Sequence, residues 1–68
     1  MKISQIIKEK RKHLGLTQEN IAEYLGVSIP AVSKWENGTT YPDITLLPGL
    51  ARLLKTDLNT LMSFNERI

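Results

Sequence analysis

Apolar residues along this chain recur at the spacings of short amphipathic helices, and glycine or small polar residues punctuate the gaps. Ile3, Ile6, Ile7 and Leu14 fall on one stripe and predict a first helix over residues 2–14. Gly15 ends it, because glycine tolerates a left-handed backbone. Thr17 is placed to cap a second helix: its hydroxyl can accept a backbone N–H, and Glu19 sits in the positive first turn. Ile21, Ala22 and Leu25 form the inward face of that helix, and Gly26 stops it. Ser28 caps a third helix after only Gly26-Val27, too little chain for an ordinary loop. Pro30 then lies in the first turn, where its missing N–H leaves no intrahelical bond unmade. Val32 and Trp35 face inward by their spacing, which leaves Ile29, Pro30, Ser33 and Lys34 on the outer face. Asn37-Gly38 stops the third helix.

Thr39-Thr40-Tyr41-Pro42 reads as a loop. Asp43 is the expected cap of a fourth helix containing Leu46, Leu47, Leu50, Ala51, Leu53 and Leu54. Pro48 leaves two readings open. If the helix starts at Ile44, the proline ring meets the carbonyl four residues back and bends the first turn. If Thr45 is the cap, Pro48 falls harmlessly in the first turn. Asp57 begins a last short helix with Leu58, Leu61 and Met62. A frayed tail is expected over residues 62–68, most of all beyond residue 64. The chain is therefore expected to be all-α, a single domain over residues 1–68 with five short helices and no repeat, linker or strand of useful length.

Composition narrows the chemistry. At 68 residues, a chain buries only about 60% of its unfolded surface, so the core is small. Cysteine is absent, which excludes disulfides and thiolate metal sites. His13 is the sole histidine and reads as a solvated helix residue between Lys12 and Leu14. No metal and no cofactor are expected. An enzyme is not expected either: there is no evident pair of carboxylates in a pocket and no phosphate-cradling glycine loop. Neither a signal peptide nor a membrane span is visible, which makes a cytoplasmic protein the default. The net charge of +2 and pI near 9.2 are compatible with a polyanionic partner. Lys8, Lys10, Arg11 and Lys12 cluster near the start, diluted only by Glu9. Such a run is first a solvated helix face and second a contribution to a phosphate-attracting field.

From Gln18 to Asn37 one pattern accounts for many positions together. Ala22 is small where two crossing helices approach, Gly26 sits at the turn, Val27 follows as an apolar plug, and Val32 and Trp35 close the core against Ile21 and Leu25. With the segments "LTQENIAEYLGVS" and "VSKWENG", this resembles the helix-turn-helix of phage-repressor-type regulators, the lambda-repressor-like or Cro-type (XRE) family. The resemblance runs over nearly the whole chain and places the helix-turn-helix at residues 18–37. It implies sequence-specific binding of double-stranded DNA, with the third helix in the major groove, by a transcriptional regulator whose commoner mode is repression.

The resemblance also assigns roles. Ile29, Pro30 and Lys34 fall at base-reading positions, with Ser33 beside them. Lys34 can donate to guanine O6 or N7, and Ile29 can pack on a thymine methyl. Pro30 departs from the pattern, since related regulators often carry Gln or Arg there. DNA shape would then supply part of the specificity. Gln18 resembles the family's phosphate-binding glutamine. Thr17 and Ser28 offer hydroxyls, with capping as their first role. Asn37, Thr39 and Thr40 lie where the family's loop follows the sugar-phosphate chain. An ion pair between Arg11 and Glu36 is expected, because Arg11 continues the inward stripe and Glu36 is the nearest matching carboxylate. A homodimer on DNA is expected, with Leu61, Met62 and Phe64 either as its contacts or as closure of the monomer core. The rival reading is a helical protein-interaction module that kept the fold and lost DNA binding, since Glu19 and Glu23 oppose phosphate attraction. The chain reads equally as a stand-alone regulator or as the N-terminal domain of a longer one.

Overall fold

The computed structural model describes residues 3–56, and every regular element among them is helical. Helix α1 spans Ile3–His13, α2 Gln18–Leu25, α3 Ile29–Glu36 and α4 Leu47–Leu53, with a 3-10 turn at Ile44–Leu46 between the last two. The expected fifth helix, with Leu58, Leu61 and Met62, lies outside the described residues, as do Phe64 and the tail from residue 62.

Helix α1 places Ile3, Ile6 and Ile7 on one face, at the i, i+3, i+4 spacing that stacks side chains along a helix. This face packs against Ile21 and Ala22 of α2, Val32 and Trp35 of α3, and Leu47, Leu50, Ala51 and Leu54 of the α4 region. Ile7, Ile21, Val32, Leu50 and Leu54 are fully enclosed. Each such burial contributes on the order of 1.5–3 kcal/mol, set against the ordering of a short chain. Leu14, Leu25 and Val27 are half-buried at the margin of this cluster. Leu16, for which sequence suggested no role, packs there too.

Helix α2 crosses both α3 and α4. At its contact with α4, a Cβ added to Gly49 would lie 3.1 Å from Leu25 Cδ2, so the missing side chain lets the two helices approach.

The fourth helix departs from both readings of its start. Asp43 is a cap, but of the 3-10 turn: its Oδ1 accepts the Thr45 N–H at 2.9 Å and the Thr45 hydroxyl at 2.8 Å. Thr45 is therefore not the cap of an α-helix. The Leu47 N–H takes the Ile44 carbonyl, the group that would have faced the Pro48 ring in a continuous α-helix. The α-helix restarts at Leu47, with Pro48 in its first turn. Proline thus selects a tighter turn rather than a bent helix.

Thr45, through its backbone N–H and then its hydroxyl, holds the exposed Asp43 carboxyl below its ordinary 3.8. A lowered folded-state pKa means that the carboxylate's contribution is present above the ordinary value. It is lost as pH falls through the lowered one. Asp43→Asn keeps an acceptor oxygen but cannot titrate. It is expected to lose less melting temperature than wild type between about pH 5 and about pH 2. Parallel acid profiles for the two proteins would contradict this role.

Candidate nucleic-acid interface

Two capped helices and a two-residue turn build the exposed end of the molecule. The Thr17 hydroxyl accepts the Asn20 N–H at 3.0 Å, and Asn20 Oδ1 accepts the Thr17 N–H at 2.8 Å. This reciprocal cap satisfies two of the donors that a helix start leaves open. Its Thr-x-x-Asn spacing was visible in the sequence, although only the Thr17 half was expected. The Ser28 hydroxyl accepts the Ala31 N–H at 3.2 Å and caps α3. Accepting leaves the hydroxyl hydrogens of Thr17 and Ser28 for an outside acceptor.

Gly26 takes φ +73° at the turn, and a Cβ there would meet nothing within 4 Å. The requirement is therefore the left-handed backbone and not space. The Val27 N–H returns to the Ala22 carbonyl at 3.0 Å and closes α2. Val32 and Trp35 anchor α3 from beneath. What remains outward is a leading end of Ile29, 44% exposed, and exposed Pro30, followed by exposed Lys34 in the last turn. Ser33, grouped from sequence with the base-reading residues, is half-buried and turned toward a different feature.

That feature is an open cleft of about 230 Å³ where α1 meets α2 and α3, lined by Lys8, Arg11, Lys12, Gln18, Ser33, Glu36 and Asn37. Three cations there face one carboxylate. Glu36 is the buried centre: Arg11 Nε donates to its Oε2 at 2.6 Å and Arg11 Nη2 to its Oε1 at 2.9 Å. The pair expected from the sequence is thus a bidentate fork. Arg11 Nη1 also donates to the Leu16 carbonyl at 2.9 Å, which ties the α1–α2 turn to α3. Hydrogen bonding to Glu36 raises the Arg11 pKa, burial opposes it, and the charge attraction adds to the rise.

Gln18 joins the cluster, donating Nε2 to Glu36 Oε1 at 3.1 Å. Sequence reading aimed this side chain at phosphate alone. In the structure one amide hydrogen is spent on the carboxylate and one remains. Lys8 and Lys12 line the same cleft. Their i, i+4 spacing already put them on one helix face, but which face met α3 was not readable. Asn37, Thr39 and Thr40 are exposed just past α3, and the N–H groups of both threonines return to the Lys34 carbonyl, at 2.9 and 3.3 Å. Among the described residues no group of three or more His, Cys, Asp or Glu could hold a metal ion. No helix among them is long and apolar enough to cross a membrane.

The sequence profile of a helix-turn-helix family matches residues 7–61. The chain belongs to this family, in its phage-repressor-type branch. The helix-turn-helix chain is 35% identical over its whole length to the HTH-type transcriptional activator BcrR of Enterococcus faecalis, of which it spans 33%. It is 34% identical over 67 residues to the uncharacterized HTH-type transcriptional regulator YqaE of Bacillus subtilis, spanning 96% of this chain and 58% of that protein. It thus covers less than two thirds of either regulator. Its fold matches the P22 c2 repressor in complex with a synthetic operator, with a TM-score of 0.87 and 28% identity, over 96% of this chain and 98% of that one.

Proposed function

We propose that this chain binds double-stranded DNA sequence-specifically and regulates transcription, with α3 as the recognition helix in the major groove. The observation that carries this reading is the joining of two surfaces at one end of the molecule. A projecting helix start of Ile29 and Pro30 stands beside a cleft walled by Lys8, Lys12, Gln18 and Asn37. The first suits the floor of a groove, and the second suits the phosphate chain along its edge. The likeness to the P22 c2 repressor on its operator supports the same orientation.

In this arrangement Ile29, Pro30 and Lys34 read base edges and DNA shape, while Ser33 lies at the boundary between base and backbone. Thr17, Ser28 and Thr40 supply hydroxyls toward the backbone. Gln18 supplies its second amide hydrogen and the open backbone N–H of the first turn of α2. Because Glu36 neutralises Arg11, the charge offered to phosphate at the cleft resides on Lys8 and Lys12. Two copies on half-sites about 34–36 Å apart would double a short contact surface. Repression is the direction we assign, the action named for the P22 c2 relative; BcrR is named an activator.

Binding to DNA fragments selected from a genomic pool, measured by fluorescence anisotropy, tests the reading. With two phosphate contacts per protomer and a slope of about −0.9 per contact, affinity is expected to fall roughly 12-fold per protomer between about 50 and 200 mM salt. An affinity flat in salt, or no fragment enriched over random duplex, would leave the protein-interaction reading standing instead. Footprinting of the selected site is expected to show two related half-sites. One asymmetric half-site saturated by a single chain would refute the dimer.

A further inference from the structure

Asn37 and Thr39 are both exposed just past α3, and from sequence both read as side chains in contact with the DNA backbone. Their hydrogen bonds separate the two roles. Asn37 Oδ1 accepts the Thr39 hydroxyl at 2.5 Å and, at 3.0 Å, the Thr39 backbone N–H, which it shares with the Lys34 carbonyl at 2.9 Å. A backbone N–H can only donate, so the atom it meets must be the amide oxygen and not the nitrogen. That settles which way the Asn37 amide is turned. Its oxygen is held by Thr39, and its Nδ2 hydrogens have no partner among the described residues.

The same geometry limits Thr39. Its only hydroxyl hydrogen goes to Asn37, so Oγ1 has lone pairs alone to offer. A phosphodiester oxygen also has only lone pairs. Thr39 therefore cannot donate to phosphate while it holds Asn37, whereas Thr17 and Ser28 use their hydroxyls as acceptors and keep their hydrogens.

We propose that Thr39 is a positioning residue: it fixes the Asn37 amide with its NH2 group presented at the basic cleft, so that Asn37 and not Thr39 contacts phosphate. This rests on the DNA-binding reading above. In the free protein an unheld asparagine amide presents its carbonyl outward about as readily as its NH2, and a carbonyl facing phosphate repels it. Holding the oxygen from two donors removes that orientation and spends the ordering cost before DNA arrives.

The experiment compares wild type, Thr39→Val, Thr39→Ser, Asn37→Ala and the Asn37→Ala/Thr39→Val double variant on a fluorescein-labelled mixed-sequence duplex. Thr39→Val keeps the backbone half of the hold and removes the hydroxyl half. Both positions are exposed, so folding is not at stake. Thr39→Val is expected to weaken binding on the order of threefold to tenfold, the range for ordering one side chain on binding. Thr39→Ser restores it, and the salt slope is unchanged because no charge is lost. In the Asn37→Ala background, Thr39→Val is expected to have no further effect. Losses that multiply in the double variant would make Thr39 a direct contact and overturn the proposal. So would full binding by Thr39→Val or by Asn37→Ala. If wild type itself fails to bind duplex DNA, the DNA-binding reading fails. The positioning role is then decided on the free protein by the NMR order parameter of the Asn37 side-chain NH2. A drop in Thr39→Val supports the hold, and an unchanged value overturns it.

Discussion

Arg11→Ala is expected to destabilise the domain by about 3–5 kcal/mol, the range for breaking a buried ion pair by removing one partner. The Glu36 side chain is 3% exposed and that of Arg11 13%, so neither charge is left to water. Without Arg11, Glu36 keeps only the Gln18 amide at 3.1 Å. The Leu16 carbonyl also loses its donor, and with it the strut between the α1–α2 turn and α3. In a domain of this size each kcal/mol moves the melting temperature by roughly 4–8 °C. A fall of more than about 12 °C is therefore expected, measured by circular dichroism. A double replacement by apolar residues of similar volume is expected to recover much of the loss, since it leaves no orphan charge. An unchanged melting temperature in Arg11→Ala would remove the pair from the account of stability. The pH dependence has a definite sign. A raised folded-state pKa for Arg11 makes its contribution complete below the ordinary arginine pKa and lost only above it. The Arg11 share is thus expected to be flat across neutral and mildly alkaline pH.

Lys34→Ala is expected to have the largest effect on recognition, roughly 1–3 kcal/mol against sites carrying guanine at one position. The side chain is exposed in the last turn of α3. The helix end does not depend on it, because the N–H groups of Thr39 and Thr40 bond its backbone carbonyl. The variant should therefore fold normally and lose only a contact. Gln18→Ala provides the contrast. It is expected to weaken all sequences nearly equally, because phosphates are alike, with little change in salt slope because Gln is uncharged. Selecting preferred sites for wild type and both variants separates the roles. If Lys34→Ala keeps its sequence preference, loses affinity evenly and lowers the salt slope by about one, Lys34 contacts phosphate instead. Specificity then rests on Ile29, Pro30 and DNA shape.

Helix limits were legible wherever a local device sets them. Gly15 and Gly26 stop their helices with φ +73°, and Thr17 and Ser28 cap theirs with their own hydroxyls. These are interactions within a few residues, so residue identity and spacing suffice to find them. Pro48 marks the boundary of that legibility. Both local readings used only α-helical geometry, and the chain used a 3-10 turn to pass the ring. The choice depended on whether Leu47 and Leu50 could reach the core, and both are buried there.

The inward stripes of α1, α2 and α3, the tight Gly26-Val27 turn and the outward set of Ile29, Pro30 and Lys34 were set by sequence, because helical periodicity alone assigns a face. Tertiary structure decided what the polar side chains do. Whether Gln18 meets solvent or Glu36, whether Ser33 belongs with the groove or with the cleft, and whether Lys8 and Lys12 line one wall all depend on how α1 lies across α3. That relation joins residues as far apart as Arg11 and Glu36. Local spacing carries no information on the angle or offset of two helices. These come from the packing of Ile3, Ile6 and Ile7 against Val32 and Trp35, and only then does a hydrogen bond find its partner.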